Sequence, residues 1–220
     1  MSRYAIYCLP EGEFGAQGAA WLGWDAAAGR ALPVPEGRAA WVAQPRKYGF
    51  HATLKPPFRL ATGRDRAGLE KAVAALAART APGRADRLNV AAFGGFVAFR
   101  PSEGHDFARI AAACVMDLDA FRAPAPPKET LRRRAAGLSR AQEAMLLRWG
   151  YPHVLDQFRF HITLSGRVSD AAEVLEAARA HFDPPAPFML DALALCEEGQ
   201  DGTFTLLHRY PLTGVNAPSA

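Results

Sequence analysis

Phe50-His51-Ala52-Thr53-Leu54 and Phe160-His161-Ile162-Thr163-Leu164 are two copies of one pattern, Phe-His-x-Thr-Leu. From a composition like this one, a chance second copy of the four fixed residues has odds of roughly one in a thousand. The chain therefore reads as an internal duplication. A β-strand points successive side chains to opposite faces. In the first copy Phe50, Ala52 and Leu54 face one way, and His51, Thr53 and Lys55 the other. In the second, Phe160, Ile162 and Leu164 share a face, while Arg159, His161, Thr163 and Ser165 share the opposite one. Each strand thus has an apolar side for a core and a polar side rich in hydrogen-bond donors. A plain surface strand would more cheaply carry Lys, Glu and Thr than the same His-x-Thr twice.

Working outward, alternation predicts a strand at residues 4–9, then a helix at 14–24 and a Pro/Gly-rich loop at 29–37. Residues 48–58 read as a strand stopped by Pro56-Pro57. An amphipathic helix spans 65–79, with Leu69, Val73, Leu76 and Ala77 on one face. A hairpin follows at 88–100 around Gly94-Gly95. Residues 107–121 read as a helix and Ala123-Pro124-Ala125-Pro126-Pro127 as a linker. Ser139 and Gln142 form a capping box opening a helix that ends near Gly150. A strand at 158–164, a helix at 170–181 capped by Ser169, and strands at 188–196 and 203–211 complete the chain. Strand, helix and hairpin follow each histidine.

This order predicts an α+β fold: two similar lobes, with two antiparallel sheets lining a central cleft and helices on the outer faces. Residues 1–212 form a single bilobal domain on this reading, with pseudo-repeats at about 48–100 and 158–211 and a flexible tail at 213–220.

Half of the 220 residues are hydrophobic, enough for a substantial core, yet no stretch of about eighteen apolar residues occurs. No membrane association is expected. The first residues read as a strand rather than a signal peptide, which makes a cytoplasmic location the expectation. Cys8, Cys114 and Cys196 have no short spacing and read as buried thiols. The formal charge of +4 is mildly basic and favours an anionic partner without pointing to nucleic acid. No His-Glu-x-x-His, Cys-x-x-Cys, Gly-x-x-x-x-Gly-Lys or Gly-x-Ser-x-Gly pattern is present, so neither a metal nor another cofactor is expected. Trp21, Trp24, Trp41 and Trp149 form no stripe interleaved with basic residues and read as packing groups. His105, His153, His181 and His208 lie outside the repeat and read as surface or hydrogen-bonded residues; His153 sits nearest His161 in sequence.

Paired histidines at the centre of a duplication suit cleavage of a phosphodiester. That reaction needs a base on the attacking oxygen and an acid on the leaving one, on opposite sides of phosphorus. Histidine serves either role near neutral pH. Thr53 and Thr163 would hydrogen-bond the non-bridging oxygens, with Lys55, Arg159 and Tyr48 as additional phosphate contacts.

The paired His-x-Thr-Leu strands resemble the two-histidine (2H) phosphoesterase superfamily, which includes LigT-like RNA cyclic phosphodiesterases. The strings from Arg46 to Phe58, Arg132-Arg133-Arg134-Ala135-Ala136-Gly137-Leu138, and Arg148-Trp149-Gly150-Tyr151-Pro152 leading to Phe160-His161 narrow the likeness. Together they resemble a bacterial subfamily of unknown function associated with phosphonate-degradation operons. The resemblance implies the bilobal α+β fold and a metal-independent enzyme with His51 and His161 catalytic and Thr53 and Thr163 on the phosphate. Arg134 and Tyr151 join the phosphate-contact set, the arginine cluster read as either a solvated loop or an arm over the phosphate. The implied substrate is a small cyclic phosphodiester, with a ribose 1,2-cyclic phosphate fitting the phosphonate association. An RNA-end 2′,3′-cyclic phosphodiesterase or 2′,5′ RNA ligase-like enzyme, and a non-catalytic phosphate-binding module, are the alternatives. A monomer acting on a sugar phosphate or nucleotide is expected, with RNA the less favoured partner.

Overall fold

The computed structural model describes residues 2–102 and 106–215. The first half contains strand β1 (Tyr4–Cys8), helix α1 (Gly12–Leu22), the short pair β2 (Trp24–Asp25) and β3 (Arg30–Ala31), and α2 (Ala39–Val42). The first histidine motif leads into β4 (Ala52–Phe58), α3 (Arg66–Arg79), β5 (Gly83–Ala85) and the hairpin β6 (Leu88–Phe93)–β7 (Phe96–Pro101). Three helices then connect the halves: α4 (Phe107–Asp117), α5 (Pro127–Arg134) and α6 (Arg140–Trp149). The second motif leads into β8 (Ile162–Thr163), α7 (Ala171–His181), β9 (Phe188–Leu190) and the hairpin β10 (Ala192–Glu198)–β11 (Phe204–Pro211).

Seven strands form one antiparallel array in the order β11-β10-β1-β4-β8-β7-β6. The expected two sheets are its two halves, β11-β10-β1-β4 and β8-β7-β6, joined only where Ala52 pairs with Ile162. The hairpins are exchanged: β6–β7, which follows the first motif, pairs with the second-motif strand β8. Hairpin β10–β11, from the second half, joins the lobe of β4 through β1. The helices do not move with their own hairpins: each packs on the hairpin that arrives from the other half, α3 on β10 and β11 and α7 on β6 and β7. Each spatial lobe is thus built from both sequence repeats.

The motif phenylalanines anchor this core. Phe50 stacks on Phe182 at 5.5 Å and meets Phe14 edge-on at 5.0 Å, while Phe160 packs on Phe107 at 4.5 Å. Gly18 in α1 lets Phe50 come close; a Cβ there would lie 2.0 Å from the Phe50 ring. Trp21 is fully buried and donates through Nε1 to the carbonyl of Leu164, 2.8 Å away, tying α1 to the end of the second motif. All three cysteines are buried free thiols.

Several sequence expectations change in the fold. The strand expected from residue 48 starts only at Ala52, because residues 45–48 form a 3-10 turn closed by Gly49 at φ +72°, a region disfavoured for residues with a Cβ. The strand expected over 158–164 is regular only at Ile162 and Thr163, and just beyond it the N–H groups of Leu164 and Ser165 both converge on the Val97 carbonyl, at 2.8 and 3.2 Å. Asp170, not Ser169, caps α7 by accepting from the Ala172 N–H at 2.8 Å. Helix α4 stops at Asp117 rather than running to residue 121, and Asp191 interrupts the strand expected over 188–196, freeing β9 to pair with β5. The arginine run 132–134 is no loop: it is the last turn of α5, where cations complement the helix C-terminus. In the expected tail, Thr213 and Gly214 hydrogen-bond to Ala77 and Thr80, and residues 216–220 lie outside the described residues.

Candidate active site

Opposed residues of an antiparallel ladder point to the same face. The Ala52–Ile162 pair therefore sets His51 across from Thr163 and Thr53 across from His161 on the face turned away from the main core. The two histidines are diagonal neighbours in this array, a relation that separates backbones by roughly 7–8 Å. That spacing leaves room for one phosphorus between two imidazoles.

The same local device holds both rings. Nδ1 of His51 lies 2.9 Å from the Gly49 carbonyl, and Nδ1 of His161 lies 2.7 Å from that of Arg159, in each case two residues upstream. A carbonyl only accepts, so both Nδ1 atoms carry the proton and both Nε2 atoms are left for chemistry. His51 Nε2 accepts from the Thr53 hydroxyl at 3.1 Å. Burial pushes the His51 pKa down to about 4; the Gly49 carbonyl opposes this and nearby His161 adds to it. Burial lowers His161 as well, against the pull of the Arg159 carbonyl and with help from the charge of His153 and Arg100.

A cavity of about 570 Å³ opens over this face. Its wall includes His51, Thr53, Thr163, Tyr48 and Tyr151, which sequence reasoning had singled out, and also Tyr7 and Ser165. His161 stands just outside this lining, 5.7 Å ring to ring from the lining residue Phe96. Among the described residues, four arginines, Arg3, Arg132, Arg133 and Arg167, contribute to the wall and no carboxylate does. Arg3 is neutralised by Glu198 and Arg133 by Glu129, whereas Arg132 and Arg167 have no ion-pair partner among the described residues. The wall suits an anion. Among the described residues no three His, Cys, Asp or Glu side chains converge as a metal site.

Three of the expected phosphate contacts lie elsewhere. Lys55 is turned away by a β-bulge: Thr53 is opposite Tyr7 but Lys55 is opposite Ile6, so two steps of β4 match one of β1. The extra residue, Leu54, rotates Lys55 to the core face. There it is 2% exposed, and its Nζ donates to the Val115 carbonyl at 2.9 Å in the last turn of α4. Burial draws its pKa down to about 8, with Asp119 opposing the shift. Arg159 is exposed and off the cavity wall, donating to the carbonyls of Asp156 and Phe158. Arg134 points outward to Glu143 on α6, while Arg133, one helical step away, faces the cavity.

Tyr7 and Arg167 were missed as site residues, and within the arginine cluster, read as either a solvated loop or an arm over the phosphate, Arg132 and Arg133 rather than Arg134 line the cavity. Both alternating sets of β1 are apolar, Tyr4/Ile6/Cys8 and Ala5/Tyr7/Leu9, so nothing in the sequence assigns Tyr7 to the cleft. Of the four other histidines, His153 is exposed and 3.5 Å from Gln142, His181 bonds the Gln17 carbonyl at 3.0 Å, and His208 packs on Tyr210. His105 lies outside the described residues.

The antiparallel array is thus split by a cleft, with a His-x-Thr on each side of its central pairing. Among solved structures the chain is similar in fold to TT0787 of Thermus thermophilus, at TM-score 0.50 and 17% identity, covering 97% of this chain and 100% of that one. The chain belongs to the family described as protein of unknown function (DUF1045), whose profile matches residues 53–205. It is also similar to a protein of Laribacter hongkongensis (strain HLHK9) named ribose 1,5-bisphosphate phosphokinase PhnN, at 38% identity over 91% of this chain and 49% of that protein. A protein of the same name from Janthinobacterium sp. (strain Marseille) is 34% identical over 97% of this chain and 51% of its own length. The chain spans about half the length of the curated relatives it matches. Among the described residues, no helix is long and apolar enough to cross a membrane.

Proposed function

We propose that the chain is a phosphodiesterase that opens a small cyclic phosphodiester by acid–base catalysis between His51 and His161. The observation that carries this reading is the diagonal His-Thr/Thr-His array, with each imidazole held through Nδ1 so that Nε2 is free of the backbone. The phosphate sits between the strands, its non-bridging oxygens accepting from Thr53 and Thr163. One Nε2 takes a proton from water as the water oxygen bonds to phosphorus in line with the departing ring oxygen. The other, as imidazolium, gives its proton to that oxygen as the P–O bond breaks. The product is a phosphomonoester and a free hydroxyl, and the two histidines end with exchanged protonation states. All the catalytic groups in this scheme are protein side chains, and no step is routed through a metal.

The relatives' name points to ribose phosphates as the chemical neighbourhood, and a ribose 1,2-cyclic phosphate is the substrate we propose. The chain contains no Gly-x-x-x-x-Gly-Lys phosphate loop, so we assign it to a phosphoesterase portion of such proteins rather than to the kinase their name describes. The test is turnover of cyclic ribose phosphates by the purified chain and by His51→Ala and His161→Ala. Each variant should lose roughly a hundredfold or more, and a chelator should leave the wild-type rate unchanged. Full activity in either variant would refute the mechanism. A steep salt dependence with RNA ends as the better substrate would reassign the site to RNA.

A further inference from the structure

The duplication is broken on one side of the cleft. His51 is flanked by two phenols, Tyr7 at 4.0 Å and Tyr48 at 5.8 Å between ring centres. His161 is flanked instead by two phenyl rings, Phe93 at 5.3 Å and Phe96 at 5.7 Å. Across the ladder, Thr53 faces Tyr7 on β1, whereas Thr163 faces Ala98 on β7. Phenols therefore extend the site beyond β4 over β1, whereas beyond β8 the rings beside His161 are apolar and the polar groups are cations, Arg100 over Phe93 and Arg167 beside Gly95.

The phenolic side is also where hydrogen-bond capacity goes unused. The buried side-chain polar atoms without a partner, among the described residues, are the Tyr7 hydroxyl and Nε and Nη1 of Arg133. Both residues line the same cavity, and Tyr7 is fully buried. Buried donors are almost always satisfied, so a shared set of orphans in one wall marks a place for a ligand group. Arg133 is held for that purpose: Glu129 takes its Nη2, and the Tyr151 ring lies 4.5 Å beneath its guanidinium. Tyr151 lines the same wall as Tyr7 and Arg133. Arg132, one residue away and without an ion-pair partner among the described residues, adds its charge to the same wall.

The arrangement does not suit a nucleobase. His51 and Phe204 pack on the Tyr7 ring, Lys47 and Phe204 on Tyr48, and Arg133 on Tyr151. These rings offer their hydroxyls rather than open stacking faces. Donors and cations without a carboxylate fit an anionic oxygen group.

We infer that the substrate carries a second anionic group, a phosphomonoester, which binds over β1 between Tyr7 and Arg133 and fixes the direction in which the substrate lies across the two histidines. This rests on the phosphodiesterase reading and adds a specificity subsite to it. Tyr7 and Arg133 act on selection and orientation, not on the proton transfers.

The test compares a cyclic ribose phosphate with the same compound carrying a phosphomonoester at its far end, using wild type, Tyr7→Phe and Arg133→Met. Wild type should favour the doubly phosphorylated compound in kcat/KM by on the order of tenfold or more. Both variants should bring that ratio towards one, whereas a merely structural defect would lower both substrates together and leave the ratio intact. Calorimetry with D-ribose 5-phosphate supplies a readout independent of turnover, and its binding should weaken on the order of tenfold in each variant. An unchanged substrate ratio together with unchanged ribose 5-phosphate binding would overturn the inference. If neither cyclic compound is hydrolysed while ribose 5-phosphate binding still depends on Tyr7 and Arg133, the subsite stands and the catalytic reading fails.

Discussion

Acidification tests the environment that the structure gives to His51. An ordinary histidine titrates near 6.5, and the cavity wall holds this one at about 4. Between those values the unfolded chain binds a proton that the folded chain refuses, so stability must fall as pH falls from 6.5 to 4. At about 1.4 kcal/mol per pH unit, the gap from 6.5 to about 4 is worth about 3 kcal/mol. His153 and His161 are lowered too and steepen the same limb. The His51 share is isolated by measuring urea unfolding of wild type and His51→Gln at a series of pH values between 7 and 4. The stability difference between the two proteins should shift by about 3 kcal/mol in favour of the variant across that range. Parallel pH dependences would mean that His51 titrates like a surface histidine, and the case for a buried, neutral base in the cavity wall would go with it. Because His51 and His161 influence one another, the measured steps belong to the pair.

Lys55→Met should leave turnover within about twofold, since the side chain it removes lies in the core and not in the cleft. Lys55 is held at about 8 against an ordinary 10.5, so wild type should gain stability as pH rises from 8 to 10.5, by up to about 3 kcal/mol. The variant should lack that rise in alkaline unfolding curves; a variant with impaired phosphate binding would restore Lys55 to the site. Gly18→Ala should destabilise by about 2 kcal/mol or more, because its Cβ would fall 2.0 Å from a Phe50 ring clamped by Phe14 and Phe182. An unaltered thermal midpoint would show that the ring has room to yield.

The sequence by itself carried the repeated Phe-His-x-Thr-Leu motif, the α+β class and the two His-Thr pairs, because a repeated strand motif specifies its own alternation. It also located α3, the β6–β7 turn at Gly94-Gly95 and the Ser139 capping box, all features set by neighbours along the chain. Tertiary structure decided whatever depended on which strand lay alongside. One extra residue at Leu54, measured against β1, sent Lys55 into the core. Exchange of the hairpins put Ala98 beside Thr163 and left β1 beside β4, which made a cleft residue of Tyr7. The turn of α5 that carries Arg133 inward carries Arg134 out to Glu143. Alternation along one strand is a local property; the face that alternation turns to a ligand depends on register with a partner remote in the sequence, and no periodicity records it.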